Sequence, residues 1–174
     1  EAFCGWLTMR ERTAGLIQSD LYYRLPTDLE WTLMAGGTPA SGSSPEGRSR
    51  NGNRSFLWGR DWPPPAPIGN FADTTARPSA GQYVIENYND GFATTSPVGS
   101  FPPSSAGLYD LGGNVWEWVS DPFNQRGREL GVLRGGGWNS YEPDVLRTTY
   151  RNPVPVLTRG NSYGFRFVLA REED

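Results

Sequence analysis

Glycine and proline break this chain at such short intervals that long regular elements have little room, and its core must be built largely from aromatic rings. There are 22 Gly and 15 Pro in 174 residues, beside 7 Trp, 8 Tyr and 8 Phe, while hydrophobic residues reach only 36%. Each ring buries far more area than an aliphatic side chain, so a few of them can carry a core held between loops. The length fits one domain spanning 1–174, in which about 70% of the unfolded surface can be buried. No internal repeat or internal boundary divides it.

The net charge of −3 comes from 16 basic and 19 acidic residues spread along the chain. Without a basic patch or stripe, nucleic acid is not expected as a partner. No apolar run reaches the roughly 18 residues of a membrane span, and no signal peptide opens the chain, so a soluble domain with no membrane partner is expected, its compartment left open. Cys4 is the one cysteine and reads as a small buried hydrophobe. Histidine is absent, which removes Ser-His-Asp triads, Cys-His pairs, His-bound zinc and facial-triad iron from what these residues alone can do.

Phe3, Trp6, Leu7 and Ala14 fall near helical spacing with no capping residue ahead of Glu1. That opening suggests a chain lacking an N-terminal strand region. Thr27 and Glu30 form a capping box, with Asp28 in the first turn, and predict a second helix from Asp28 to Ala35 ending at Gly36-Gly37. Residues 36–53 offer almost nothing to bury and read as a surface excursion, mobile near 41–50. Short strands are expected at 115–119, 132–134, 148–151 and 163–170, the last with Phe165, Phe167 and Leu169 alternating with Gly164, Arg166 and Val168 and one of its faces in the core.

Several ordered motifs carry a resemblance: Tyr23-Arg24-Leu25-Pro26-Thr27 with Glu30-Trp31, then Gly107-Leu108-Tyr109-Asp110, then Gly113-Asn114-Val115-Trp116-Glu117-Trp118. Leu133-Arg134-Gly135-Gly136-Gly137-Trp138, Tyr150-Arg151 and Gly164-Phe165-Arg166 follow in the same order. Together they resemble the sulfatase-modifying-factor family, which includes formylglycine-generating enzymes, ergothioneine-pathway sulfoxide synthases and the variable proteins of diversity-generating retroelements. The resemblance covers about residues 2–170. It implies an α+β, C-type-lectin-like fold, loop-rich, with two helices and small antiparallel sheets.

Glu117 lies between two tryptophans, where a bare carboxylate would be costly unless a cation or an arginine such as Arg134 or Arg166 partners it. Calcium takes six to eight oxygens, and a Gly-rich turn can aim carbonyls inward. The resemblance implies one calcium held by Asp110 and Glu117 side chains with Gly113 and Val115 carbonyls. It implies a second held by Asn70 and Asp90 side chains with Phe71 and Phe92 carbonyls. The plain alternative for Asn89-Asp90-Gly91 is an ordinary turn. Arg134, Arg147, Arg151 and Arg166 read as structural, stacking on rings and bonding carbonyls, with an anion site as the alternative.

Formylglycine-generating enzymes oxidise a substrate cysteine with copper on two thiolates, soft ligands suited to Cu(I). The matching positions here are Ser140 and Val145, so copper is not expected. The expected function is a noncatalytic ligand-binding or sensing module, with calcium as structural cofactor. A protein or small-molecule ligand would meet the loops 138–163 through Trp138, Asn139, Ser140, Tyr141, Asp144, Thr148, Arg159, Asn161 and Tyr163. The same stretch is where retroelement-diversified relatives vary. Further domains of a parent protein are possible partners. The rival expectation is a divergent oxidoreductase completed by segments outside this chain.

Overall fold

The computed structural model describes residues 1–52, 54–81, 83–125 and 127–172. In chain order these form α1 (Ala2–Thr13), β1 (Leu21–Arg24), α2 (Asp28–Met34), α3 (Pro45–Asn51), α4 (Arg77–Ala80), β2 (Trp116–Gln125), β3 (Arg128–Arg134), β4 (Asn152–Val154), β5 (Tyr163–Gly164) and β6 (Val168–Arg171). The fold is α+β. β1 and β6 pair as an antiparallel ribbon, and the second sheet has the order β4-β3-β2-β5, with β5 parallel to β2.

Helix α2 begins where its capping box dictates. The Thr27 hydroxyl accepts the Glu30 N–H at 3.1 Å, and the Glu30 carboxylate accepts the Thr27 N–H at 2.7 Å. Trp31 on this helix packs with Ala35, Leu111, Val119 and Val132 in one core. A second core gathers Phe56, Phe71, Ile85, Tyr88 and Leu146, mostly from loop segments. The aromatic side chains thus do for the irregular middle of the chain what sheet pairing does elsewhere.

Three expectations are corrected. Within the stretch read as a mobile surface excursion, Ser44 caps α3, Pro45 occupies its first turn, and Glu46 and Arg48 are buried. The expected strand at 148–151 is irregular, and pairing begins just past its expected end, in β4 at Asn152. The expected strand at 163–170 is split between two sheets, and its more apolar face is the more exposed one: Phe165, Phe167 and Leu169 are 45%, 43% and 46% exposed. Arg166 turns inward instead, to meet buried Glu117. Because side chains alternate along extended chain, a residue that must reach an internal carboxylate puts its neighbours on the outside.

The ion pair that shapes α3 belongs to a larger centre. Asp28, fully buried at the start of α2, receives Arg48 Nε at 2.7 Å, Arg151 Nε and Nη2 at 3.0 Å each, and Arg134 Nη1. The Arg134 guanidinium also lies 4.3 Å from the Trp31 ring centre and donates to the Thr148 carbonyl at 2.7 Å. Burial alone would raise the Asp28 carboxyl, but Arg134, Arg151 and Arg48 outweigh it and hold it below the usual carboxylate range.

Candidate functional site

The expected oxygen ligands at 70–71 and 90–92 lie close together. Phe71 N–H and Phe92 N–H donate to the Asp90 carboxylate at 2.8 and 2.9 Å, and the Asp90 N–H donates to Asp73 Oδ2 at 2.6 Å. Asn70 is fully buried, its Nδ2 donating to the Thr94 carbonyl at 2.7 Å, while its Oδ1 is buried with no hydrogen-bond partner. Burial pushes the Asp90 carboxyl up to about 6; the two N–H donors oppose this and Asp73 adds to it. Among the described residues, no ion pair involves Asp73 or Asp90. Asn70 Oδ1 is a buried amide oxygen without a partner, and with the Asp73 and Asp90 carboxylates it is the type of hard oxygen donor a calcium ion takes, although no cluster of three Asp, Glu, His or Cys side chains that could hold a metal stands together among the described residues. Asp73, between Ala72 and Thr74, carries no motif signal in the sequence.

The expected second set occupies the turn from Asp110 to Glu117. Asp110, Gly113 and Asn114 all have left-handed backbone, with φ of 56°, 78° and 60°. Asp110 Oδ2 accepts the Gly99 N–H at 2.7 Å, and its Oδ1 is buried without a partner. Glu117 accepts Arg166 Nε and Nη2 at 2.6 Å each and the Trp31 indole N–H at 2.7 Å. Of the partners considered for Glu117, the structure shows Arg166. Burial raises the Glu117 carboxyl, against Arg166 and Trp31 and with a contribution from Asp110. Asp110 Oδ1 therefore fits a cation, whereas the Glu117 charge is already met by arginine. Gly113 donates to the Gly135 carbonyl and Asn114 N–H to the Asn70 carbonyl, at 3.0 and 2.8 Å, so the two regions abut. Val115 is half-buried beside them.

Around 138–163 the expected ligand residues divide by exposure. Asn139, Asp144, Arg159 and Asn161 are exposed, and Tyr141, Thr148 and Tyr163 are half-buried. Tyr141 stacks on exposed Tyr83 with ring centres 5.7 Å apart. Trp138 and Ser140 lie inside. The Trp138 indole N–H donates to the Asn161 carbonyl at 3.4 Å, and Ser140 Oγ accepts the Gly137 N–H at 3.0 Å. The Ser140 carbonyl accepts the Ala72 N–H, tying this turn to the first oxygen cluster two residues from Asn70. Thr148 is committed inward as well, its hydroxyl donating to the Ser55 carbonyl at 3.1 Å.

No helix among the described residues is long and apolar enough to cross a membrane. Cys4, the only thiol, is buried on α1, which contributes none of the residues of the 138–163 turn.

A family model described as the sulfatase-modifying factor enzyme 1-like domain matches residues 1–171. The chain is 37% identical over 116 residues to the mouse (Mus musculus) "Inactive C-alpha-formylglycine-generating enzyme 2", covering 66% of this chain and 31% of that protein. It is 34% identical over 138 residues to the mouse "Formylglycine-generating enzyme", covering 71% and 32%. The chain thus spans about a third of the length of these curated relatives. Among solved structures, PvdO from Pseudomonas aeruginosa matches with a TM-score of 0.58 and 27% identity, over 95% of this chain and 56% of that one. With a family model matched over nearly its whole length, the chain belongs to the sulfatase-modifying factor enzyme 1-like domain family.

Proposed function

We propose that this domain is a noncatalytic ligand-binding or sensing module on a calcium-stiffened formylglycine-generating-enzyme-like scaffold. The observation that carries the reading is the pair Ser140 and Val145. A serine hydroxyl and an isopropyl group cannot replace two thiolates as soft ligands for Cu(I). Ser140 Oγ is moreover engaged by the Gly137 N–H, as a part of the turn. Similarity by itself does not separate the classes, because one mouse relative is named inactive and the other is named as the enzyme.

The ligand surface in this reading is the exposed side of 138–163, where Asn139, Asp144, Arg159 and Asn161 supply adaptable polar groups and Tyr141 a ring. Such a mixture suits recognition of a protein or small molecule by loops on a rigid base. Diversification of these loops by a retroelement is the finer form of the proposal, supported by the exposure of Asn139, Asp144 and Asn161. Calcium at Asn70 and Asp90, and at Asp110, is supported by the two partnerless buried oxygens.

The test is oxygen uptake by the purified chain supplied with Cu(I) and a cysteine-containing peptide. No uptake above a copper-only control is expected. Copper-dependent turnover would establish the rival reading, a divergent oxidoreductase of this family.

A further inference from the structure

We infer that the cavity beside Arg151 is a subsite for a small tetrahedral oxyanion of the sulfate or phosphate class. The cavity measures about 160 Å³ and is lined by the Thr32, Thr38, Ser55, Thr148 and Thr149 hydroxyl-bearing residues and by Arg151. It is well below the roughly 300–1,000 Å³ of pockets that take drug-sized ligands, which restricts the occupant to a few heavy atoms. Thr38 is exposed and Arg151 is buried, so the cavity runs from solvent to a guanidinium.

Of the buried arginines Arg151 alone lines the cavity, and the charge of the ionic centre behind it is unbalanced. Arg48, Arg134 and Arg151 face Asp28, with Asp121 the one further carboxylate, 3.5 Å from Arg48 Nη2. The ion pairs of this centre therefore hold three guanidiniums against two carboxylates. Arg134 Nε is buried with no hydrogen-bond partner. Burial pushes the Arg134 guanidinium down to about 9, with Asp28 opposing and Arg151 and Arg48 adding to the fall. Arg151 uses three of its N–H donors, two on Asp28 and one on the Thr149 carbonyl at 2.7 Å. A guanidinium has five, so two remain. Among the described residues, the Thr38 and Thr149 hydroxyls make no hydrogen bond, and Ser55 Oγ has only a 3.5 Å contact with Thr148 Oγ1. Two hydroxyls without partners and the two remaining Nη N–H groups of a guanidinium held in place by Asp28 supply the kind of donors a tetrahedral oxyanion takes. An oxyanion there would also supply the missing negative charge.

The experiment titrates the protein separately with sulfate, inorganic phosphate and chloride at constant ionic strength, reading amide chemical shifts and thermal unfolding. The expected result is saturable shifts confined to amides around Gly36, Gly37 and Thr149, with a rise in Tm for sulfate or phosphate and none for chloride. Which of the two saturates at lower concentration identifies the preferred ion. Because Arg151 also anchors Asp28, its replacement would disturb the buried ionic centre, and the test variant is Thr38→Val with Thr149→Val, whose hydroxyls make no hydrogen bond among the described residues. This variant should keep the dispersed spectrum of the folded protein and bind at least tenfold more weakly. Equal response to chloride, a linear unsaturable rise in Tm as excluded salts produce, or unaltered affinity in the double variant would each overturn the assignment.

Discussion

Asp28 is a single carboxylate on which three guanidiniums from three parts of the chain converge, 20, 106 and 123 residues away in sequence. Removing one partner of a buried ionic cluster leaves the others desolvated and unmatched, at a cost of about 3–5 kcal/mol. Asp28→Asn should therefore lower stability by about that amount in urea unfolding. The pH dependence has a definite sign. The folded carboxyl titrates below its ordinary value of 3.8, so its contribution is complete above that value and is lost as pH falls through it toward the lower folded value. The stability gap between wild type and Asp28→Asn should accordingly be flat from pH 5 to 7 and narrow below about pH 4. In the sequence Asp28 was legible only as a first-turn helix charge. Its real environment depends on Arg48, which sits among Gly, Ser and Pro in a stretch with no apolar residues to signal burial, and a charge buried by other charges leaves no hydrophobic pattern.

At the level of elements, what could be read were features whose cause is local. The capping box marked the start of α2 to the residue, and the helical spacing of Phe3, Trp6 and Leu7 marked α1. What could not be read were features with a distant cause. Phe165, Phe167 and Leu169 alternate as a core-facing strand should, yet the salt bridge between Arg166 and Glu117 leaves this more apolar face the more exposed one. Both proposed calcium regions share this division: their oxygen-bearing turns stand out in sequence, while Asp73 enters one of them only through the fold, and in the other it is the fold that selects Arg166 over Arg134 as the partner of Glu117. The turn carrying Gly113 joins the two regions. It forms a bridge with Asn70 at φ 78°, and a Cβ there would overlap the Asn70 backbone. Gly113→Ala combines left-handed strain of about 1–2 kcal/mol with overpacking of about 1–3 kcal/mol. A loss of about 3 kcal/mol is expected, with faster amide exchange at Asn114, whose N–H bonds the Asn70 carbonyl.

For the whole molecule the open question is what stiffens a chain so much of which is loop, and the proposed calcium sites give a measurable answer. A cation that binds the folded state alone stabilises it by RT ln(1 + [L]/Kd), about 2.7 kcal/mol for each site at a hundredfold excess over Kd. Chelator-treated protein should therefore show a saturable rise in Tm with calcium. Magnesium should do less, since it demands a small octahedral shell and these sites are built from spaced loop oxygens. Asn70→Ala also removes the hydrogen bond to the Thr94 carbonyl, so its stability in chelator will be lower for a reason unrelated to metal. The calcium-dependent increment, measured as the difference between calcium and chelator for each variant, isolates the site. Asn70→Ala should abolish one increment and Asp110→Ala the other. Because Asn114 N–H binds the Asn70 carbonyl, the two losses should not add exactly as they would for distant sites. If wild-type Tm is the same in calcium and in chelator, the partnerless oxygens of Asn70 and Asp110 are served by water, and the rigidity of the loops rests on the aromatic core and the Asp28 centre alone.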